Sequence, residues 1–302
     1  MINSKFGFII RVGLLLLFFA VAPQFLMAQN KKEAISGFAD INGGKIYYEA
    51  AGKGNQTIVF VHGGLVDNRL WDEQFYEFAG KYQVIRYDTR GYGKSPMPAV
   101  AYSPIEDLYQ LLKFLKVEKA IIVGLSLGGI IATDFTLEHP AMVERLVLVG
   151  AALRGFETKP SEKAIKIFRE ASQSTPTKAA ELWMQHELFA ALKNKPDARS
   201  KILQMLADNY RGWTGIGNDK YIFPAPTTLQ RLDKILIPAL IIVGEIDHPD
   251  LLTIGKVLDD KIPDSQLVLM KDASHHPNLE KPQEFNRILR TFLEKSPIKK
   301  KN

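Results

Sequence analysis

The pentapeptide Gly124-Leu125-Ser126-Leu127-Gly128 fits G-x-S-x-G, the spacing that presents a serine hydroxyl for nucleophilic attack. It follows the run Ala120–Val123 (AIIV) and opens GGIIATDFTLEH, so it reads as strand, turn and helix. The turn must be so tight that side chains at the flanking positions would collide, which accounts for the glycines. The serine between them is expected in a strained conformation that holds its hydroxyl clear. The next N–H, that of Leu127, faces the same space, and the helix that starts there favours negative charge.

A serine hydroxyl attacks only when a base takes its proton. The chain has six histidines, and the best placed stand in Ala273-Ser274-His275-His276-Pro277-Asn278-Leu279-Glu280, after the run Gln266–Leu269 (QLVL). Reactive groups gather beyond strand ends in open parallel sheets. From position alone, His275 and His276 both remain open. The base needs a carboxylate to orient its ring. Asp247, just beyond Ala239–Val243 (ALIIV), is well placed, with Glu245 and Asp250 as neighbours of the same type. A further loop, Val61-His62-Gly63-Gly64-Leu65, follows Thr57–Val61 (TIVFV). A backbone N–H there could join that of Leu127 in holding a developing oxyanion. His62 reads as a support for that loop.

Short apolar runs set these residues at strand ends. Phe38–Ile41 and Lys45–Glu49 flank Asn42-Gly43-Gly44, a hairpin signal. Thr57–Val61, Tyr82–Tyr87, Ala120–Val123, Leu146–Val149, Ala239–Val243 and Gln266–Leu269 follow. The last four lack polar alternation, which predicts strands buried on both faces of a parallel sheet. Helical patterns lie at Ile105–Leu115, Leu127–Glu138 and Pro282–Leu293. This alternation predicts an α/β fold: a mostly parallel central sheet flanked by helices. From Leu153 to Leu236 no strand pattern is visible. Residues 154–231 are expected to form a helical cap inserted before the last two strands, and residues 29–153 and 232–302 the core. The cap's large apolar residues, among them Ile165, Ile167, Phe168, Trp183, Phe189 and Trp213, are expected to pack together as a roof over Ser126.

The chain's 302 residues, 46% of them hydrophobic, suit one large core with an insertion. Five cations of the net charge of +6 sit at the ends: Lys5, Arg11, Lys299, Lys300 and Lys301. The remainder is nearly neutral, which argues against a nucleic-acid partner. With no cysteine, disulfides, thiolate catalysis and cysteine metal sites are excluded. No metal or other cofactor is expected. Residues 1–28 have the layout of a secretory signal: cations, the apolar run Val12–Ala22, then Ala28 before Gln29. The run is shorter than the ~20 residues of a spanning helix. Export to a periplasm or the medium is expected, with cleavage after Ala28. Membrane attachment would require that segment to stay uncleaved.

From about residue 36 to 294 the chain resembles the α/β-hydrolase superfamily, in its capped branch of enol-lactonase- and carboxylesterase-like members. The resemblance rests on HGG at His62–Gly64, DTRGYGKS at Asp88–Ser95, GLSLGG at Gly124–Gly129, GEID at Gly244–Asp247 and SHHPNLEKP at Ser274–Pro282, in that order. It implies a triad of Ser126, Asp247 and His275, because the family's histidine precedes a glutamate by five residues, here Glu280. Ser274 stands where the family usually has glycine. The resemblance places the oxyanion donors at Gly64 and Leu127 and makes Arg90 structural. It implies acyl transfer from a small ester or lactone to water. A carbon–carbon bond hydrolase, a perhydrolase and a slow-turnover ligand sensor are alternatives on the same fold.

Overall fold

The computed structural model describes residues 34–158, 160–215 and 220–295. The chain divides into a segment Met1–Ala34 and a unit from Ile35 onward. The expected signal segment lies outside the described residues, and everything below concerns the second unit.

All eight expected strands are present: β1 (Ile35–Ile41), β2 (Gly44–Ala51), β3 (Thr57–Val61), β4 (Gln83–Tyr87), β5 (Ala120–Leu125), β6 (Val143–Val149), β7 (Ala239–Gly244) and β8 (Ser265–Met270). They form one sheet in the order β1-β2-β4-β3-β5-β6-β7-β8. β1 and β2 are antiparallel, joined by a two-residue turn in which Asn42 and Gly43 both have positive φ, 49° and 69°. That is the turn an Asn-Gly pair favours, because both positions need the left-handed region. β2 also runs antiparallel to β4, and every pairing from β4 through β3 to β8 is parallel.

β3, β5 and β7 are buried along their whole length, as unbroken apolar strands between helix layers must be. β8 is not. It is the edge of the sheet and only partly covered, with Leu269 48% exposed. Its apolar run does not mark burial on both faces, because a neighbouring strand protects it on one side only. β6 begins earlier than its apolar run, at Val143. It takes in Arg145, a buried cation whose guanidinium donates to the carbonyls of Phe292 and Lys295 at the end of the last helix. Orphan carbonyls at a helix C-terminus are good partners for such a group.

Helices α1 (Asp72–Phe78), α2 (Pro104–Phe114) and α3 (Leu127–Glu138) pack on the sheet, and four more are inserted between β6 and β7: α4 (Glu162–Ser172), α5 (Pro176–Trp183), α6 (Pro196–Asp208) and α7 (Tyr210–Gly215). A 3₁₀ stretch, Glu187–Asn194, lies between α5 and α6. α8 (Pro249–Lys261), a short α9 (Pro277–Glu280) and α10 (Pro282–Glu294) complete the chain. Start signals are local: Ser103, Ser161 and Thr175 each cap a helix by accepting a backbone N–H three residues on. The inserted helices cluster around Trp183, Trp213, Phe189 and Ile202, all buried. Two residues expected inside that cluster lie at its rim: Ile165 and Phe168 are 52% and 49% exposed, although the Phe168 ring meets Trp183 edge-on at 6.4 Å. α4 buries only Ile167 and Ala171, so its other face meets solvent.

Candidate active site

The residues singled out above lie just beyond the carboxyl ends of β3, β5, β7 and β8, on one edge of the sheet. Ser126 separates β5 from α3 with φ 54° and ψ −113°, a conformation that non-glycine residues rarely take. Its N–H donates to the carbonyl of Val149 at the end of β6 (3.0 Å), and its carbonyl accepts from Gly129, Ile130 and Ala152. These bonds hold the strained residue from both sides. At Gly128 a Cβ would stand 2.3 Å from the carbonyl oxygen of Val61, so only glycine lets α3 start this close to β3.

The same approach brings the loop after β3 beside the serine. The Cβ direction of Gly63 points to within 3.3 Å of the Ser126 Cβ, and that of Gly64 to within 3.9 Å of Leu127 Cδ2. His62 is fully buried and serves this loop. Its Nδ1–H donates to the carbonyl of Gly63 (2.7 Å), and Nε2 accepts the N–H of Thr89 (3.0 Å). Burial lowers its pKa, and the Thr89 N–H facing Nε2 leaves no place for a second proton. The turn from Asp88 to Gly91 is thus tied to the loop. Burial, with Asp67 nearby, pushes the Asp88 carboxyl up to about 7, against the pull of the backbone N–H groups of Lys94 and Asn68. Arg90 forms a two-pronged pair with Asp107 (2.6 and 2.8 Å) and donates to the carbonyl of Ile41. These contacts clamp the β1–β2 hairpin to α2 and leave Arg90 a structural residue.

His275 and Asp247 meet across the ends of β7 and β8. His275 Nδ1 lies 3.1 Å from Asp247 Oδ2, with the residues 4% and 5% exposed. The other oxygen, Oδ1, accepts the N–H of His248 (2.7 Å). Such an arrangement fixes a ring by its Nδ1–H and leaves Nε2 as a lone-pair acceptor. Neither neighbour of Asp247 competes: Glu245 is exposed on its turn, and Asp250 sits in the first turn of α8. His276 has no carboxylate at its ring. Its ring stacks on Phe189 (5.3 Å, 10° between planes), and burial holds its pKa well below the usual imidazole range.

The loop that carries His275 is gripped by Glu280, whose carboxylate accepts from the N–H of Ser274 (2.6 Å), its hydroxyl (2.6 Å) and the N–H of His276 (3.2 Å). This is the physical content of the His-to-Glu spacing. One contributor has no signal in the motifs. Gly150, just after β6, has φ +46°, and a Cβ there would lie 2.9 Å from His275 Nδ1 and 3.2 Å from Asp247 Oδ2. Its predecessor Val149 accepts the Ser126 N–H, so a single bare residue separates the serine's anchor from the His–Asp pair. The glycine that ends LVLVG was its only trace in the sequence.

The inserted helices dock on this same edge. Asn209, buried between α6 and α7, donates to Asp67 Oδ2 (2.8 Å) and accepts the N–H of Gly93 (2.6 Å). Lys195 donates to the carbonyl of Glu280 (2.8 Å). Arg154 pairs with the buried Asp134 at 2.7 Å. Among the described residues no group of three or more histidine and acidic side chains has the spacing to hold a metal ion.

A family model for the alpha/beta hydrolase fold matches residues 56–282. The chain is similar to 3-oxoadipate enol-lactonase 1 of Acinetobacter baylyi, 28% identical over 244 residues, which cover 78% of this chain and 88% of that protein. It is 24% identical over 253 residues to a pimeloyl-(acyl-carrier protein) methyl ester esterase of Pectobacterium atrosepticum, covering 82% of this chain and 98% of that protein. The crystal structure of the enol-lactonase from Burkholderia xenovorans matches with a TM-score of 0.73 at 25% identity, over 86% of this chain and all of that one. With the fold, the strained serine and the family match in agreement, the chain belongs to the α/β-hydrolase family, as one of its enzymes.

Proposed function

We propose that this protein is a serine hydrolase that cleaves an ester or lactone bond of a small, mainly apolar substrate through an acyl-enzyme. The observation that carries the reading is the buried His275–Asp247 pair on the sheet edge where Ser126 stands in its strained turn. Asp247 keeps the proton of His275 on Nδ1, so Nε2 takes the proton of Ser126 as its oxygen attacks the carbonyl. The negative charge that develops on the carbonyl oxygen is met by the N–H groups of Gly64 and Leu127. The alcohol leaves with the proton from His275, and in a lactone it stays attached to the acyl chain. Water, deprotonated by the same ring, then releases the acid and restores Ser126.

The inserted helices act as a roof that supplies the apolar pocket and excludes water. Relatives named for an enol-lactone and for a methyl ester support both bond types equally. Export is part of the same proposal and rests on residues 1–28 alone. The deciding experiment is a panel of p-nitrophenyl esters and simple lactones of increasing chain length, run on wild type and Ser126→Ala. Repeated turnover by wild type and none by the variant is the expected result. Turnover that survives in Ser126→Ala assigns the chemistry to another residue. Single-turnover acylation without release would instead identify a ligand sensor.

A further inference from the structure

Cap and catalytic loop share a seam that an opening lid would not have. Ser274 is completely buried between them. Its hydroxyl donates to Glu280 Oε1 at 2.6 Å and accepts the N–H of Ala191 at 3.3 Å. The carbonyl of Leu188 lies 3.2 Å from that hydroxyl and accepts the N–H of His275 at 3.4 Å. Between those two cap residues, Phe189 stacks on His276. The turn Leu188–Ala191 therefore reaches three consecutive residues, Ser274, His275 and His276, through contacts separate from those of Glu280.

A loop held by Glu280 alone could rock about that carboxylate, and the ring of His275 would move with it. A second, separate set of contacts from the cap turn removes that freedom. An error of about 1 Å at a reacting group can cost on the order of a hundredfold in rate, so such support is worth having. Ser274 is the only one of the three loop residues whose side chain bonds to both sides at once.

We infer that Ser274 is a positioning residue: it clamps the loop of His275 between Glu280 and the cap turn Leu188–Ala191, which makes this part of the cap a fixed support rather than a moving lid. The inference takes its importance from the hydrolase reading above, but its geometry can be tested without turnover.

The test uses the full mature chain, wild type, Ser274→Ala and Phe189→Leu. Three quantities are read: kcat and KM on p-nitrophenyl butyrate, the ring resonances of His275 in ¹⁵N-histidine-labelled protein, and the melting temperature. The clamp predicts that Ser274→Ala lowers kcat about ten- to a hundredfold with KM within about twofold. The His275 ring signals should shift or broaden, while the protein remains folded. Phe189→Leu should move the same signals in a smaller degree, and it serves if Ser274→Ala does not fold. His275 signals identical to wild type in a folded variant would overturn the clamp. A rise in KM at unchanged kcat would do so too, since it would make the turn a substrate wall. If wild type shows no turnover yet the His275 signals respond, the hydrolase reading falls and the clamp stands.

Discussion

At the scale of single residues, the difference between two adjacent histidines is decided by their surroundings. The ring of His275 has a carboxylate at 3.1 Å, whereas the ring of His276 has an aromatic neighbour and no carboxylate partner. His275→Ala should therefore reduce kcat by at least about a thousandfold, and His276→Ala far less, as steady-state assays will show. In parallel, Ser126→Ala should abolish covalent labelling by a fluorophosphonate probe. His62 yields a pH prediction whose sign follows from its bonds. Its folded pKa is depressed below the ordinary 6.5 because the ring is buried. Its contribution to stability is thus present above about pH 6.5 and lost as pH falls below that value, where the unfolded chain takes up a proton that the folded chain refuses. His62→Phe should be less stable by about 2 kcal/mol at pH 8, from two lost buried hydrogen bonds. Urea melts from pH 8 to 5 should show that gap narrowing with acid. A constant gap would mean that His62 takes up its proton as readily in the fold as in the unfolded chain.

Among the elements, the close contacts at strand ends matter more than the strands themselves. β6 is followed by Gly150, and the bare Cα there is what lets His275 and Asp247 lie against the anchor of Ser126. Gly150→Ala combines a positive φ with a collision at His275 Nδ1. It should cost about 1–2 kcal/mol in stability and on the order of a hundredfold in kcat. A variant with wild-type kcat would show that the loop has room to yield. The junction of α6 and α7 depends on Asn209 in a comparable way. Asn209→Leu strands the N–H of Gly93 and removes a donor from Asp67, so denaturant titration should show a loss of about 2–3 kcal/mol. An unchanged midpoint would mean that neither bond matters to the fold.

For the molecule as a whole, one sheet edge collects the serine, the His–Asp pair, the glycine loop and the inserted helices. Helices between β6 and β7 bond to the loops after β3, β4 and β8, so the cap is fastened to the core at several points. The first strand begins at Ile35, beyond the expected cleavage after Ala28. Processing there would leave every strand of the sheet intact. Intact-mass measurement of the native protein should find a terminus near Gln29, and a chain still starting at Met1 in a membrane fraction would point to an anchor instead.

Much of this architecture was legible in residue order. Strands β5 and β7 are aliphatic runs without polar alternation that have to be buried on both faces, and period and composition announce them. The turn at Ser126 was legible because its glycines answer to local sterics, which act between near neighbours in the chain. The spacing from His275 to Glu280 was legible for a similar reason, being closed within one short loop. Other features depend on neighbours far away in sequence. The apolar run of β8 looked like a central strand, and only the sheet order makes it an edge. Arg145 interrupted β6 until the carbonyls at the end of α10, some 150 residues on, supplied its partners. α8 is not among the helices expected from sequence, although Pro249 and Asp250 stand in its first turn and Lys261 in its last; it fills the connection between β7 and β8. Gly150 and Ser274 are ordinary small residues in a one-dimensional text. What they do exists only where β6, the His275 loop and the cap turn converge, because contact between distant segments is a property of the folded chain.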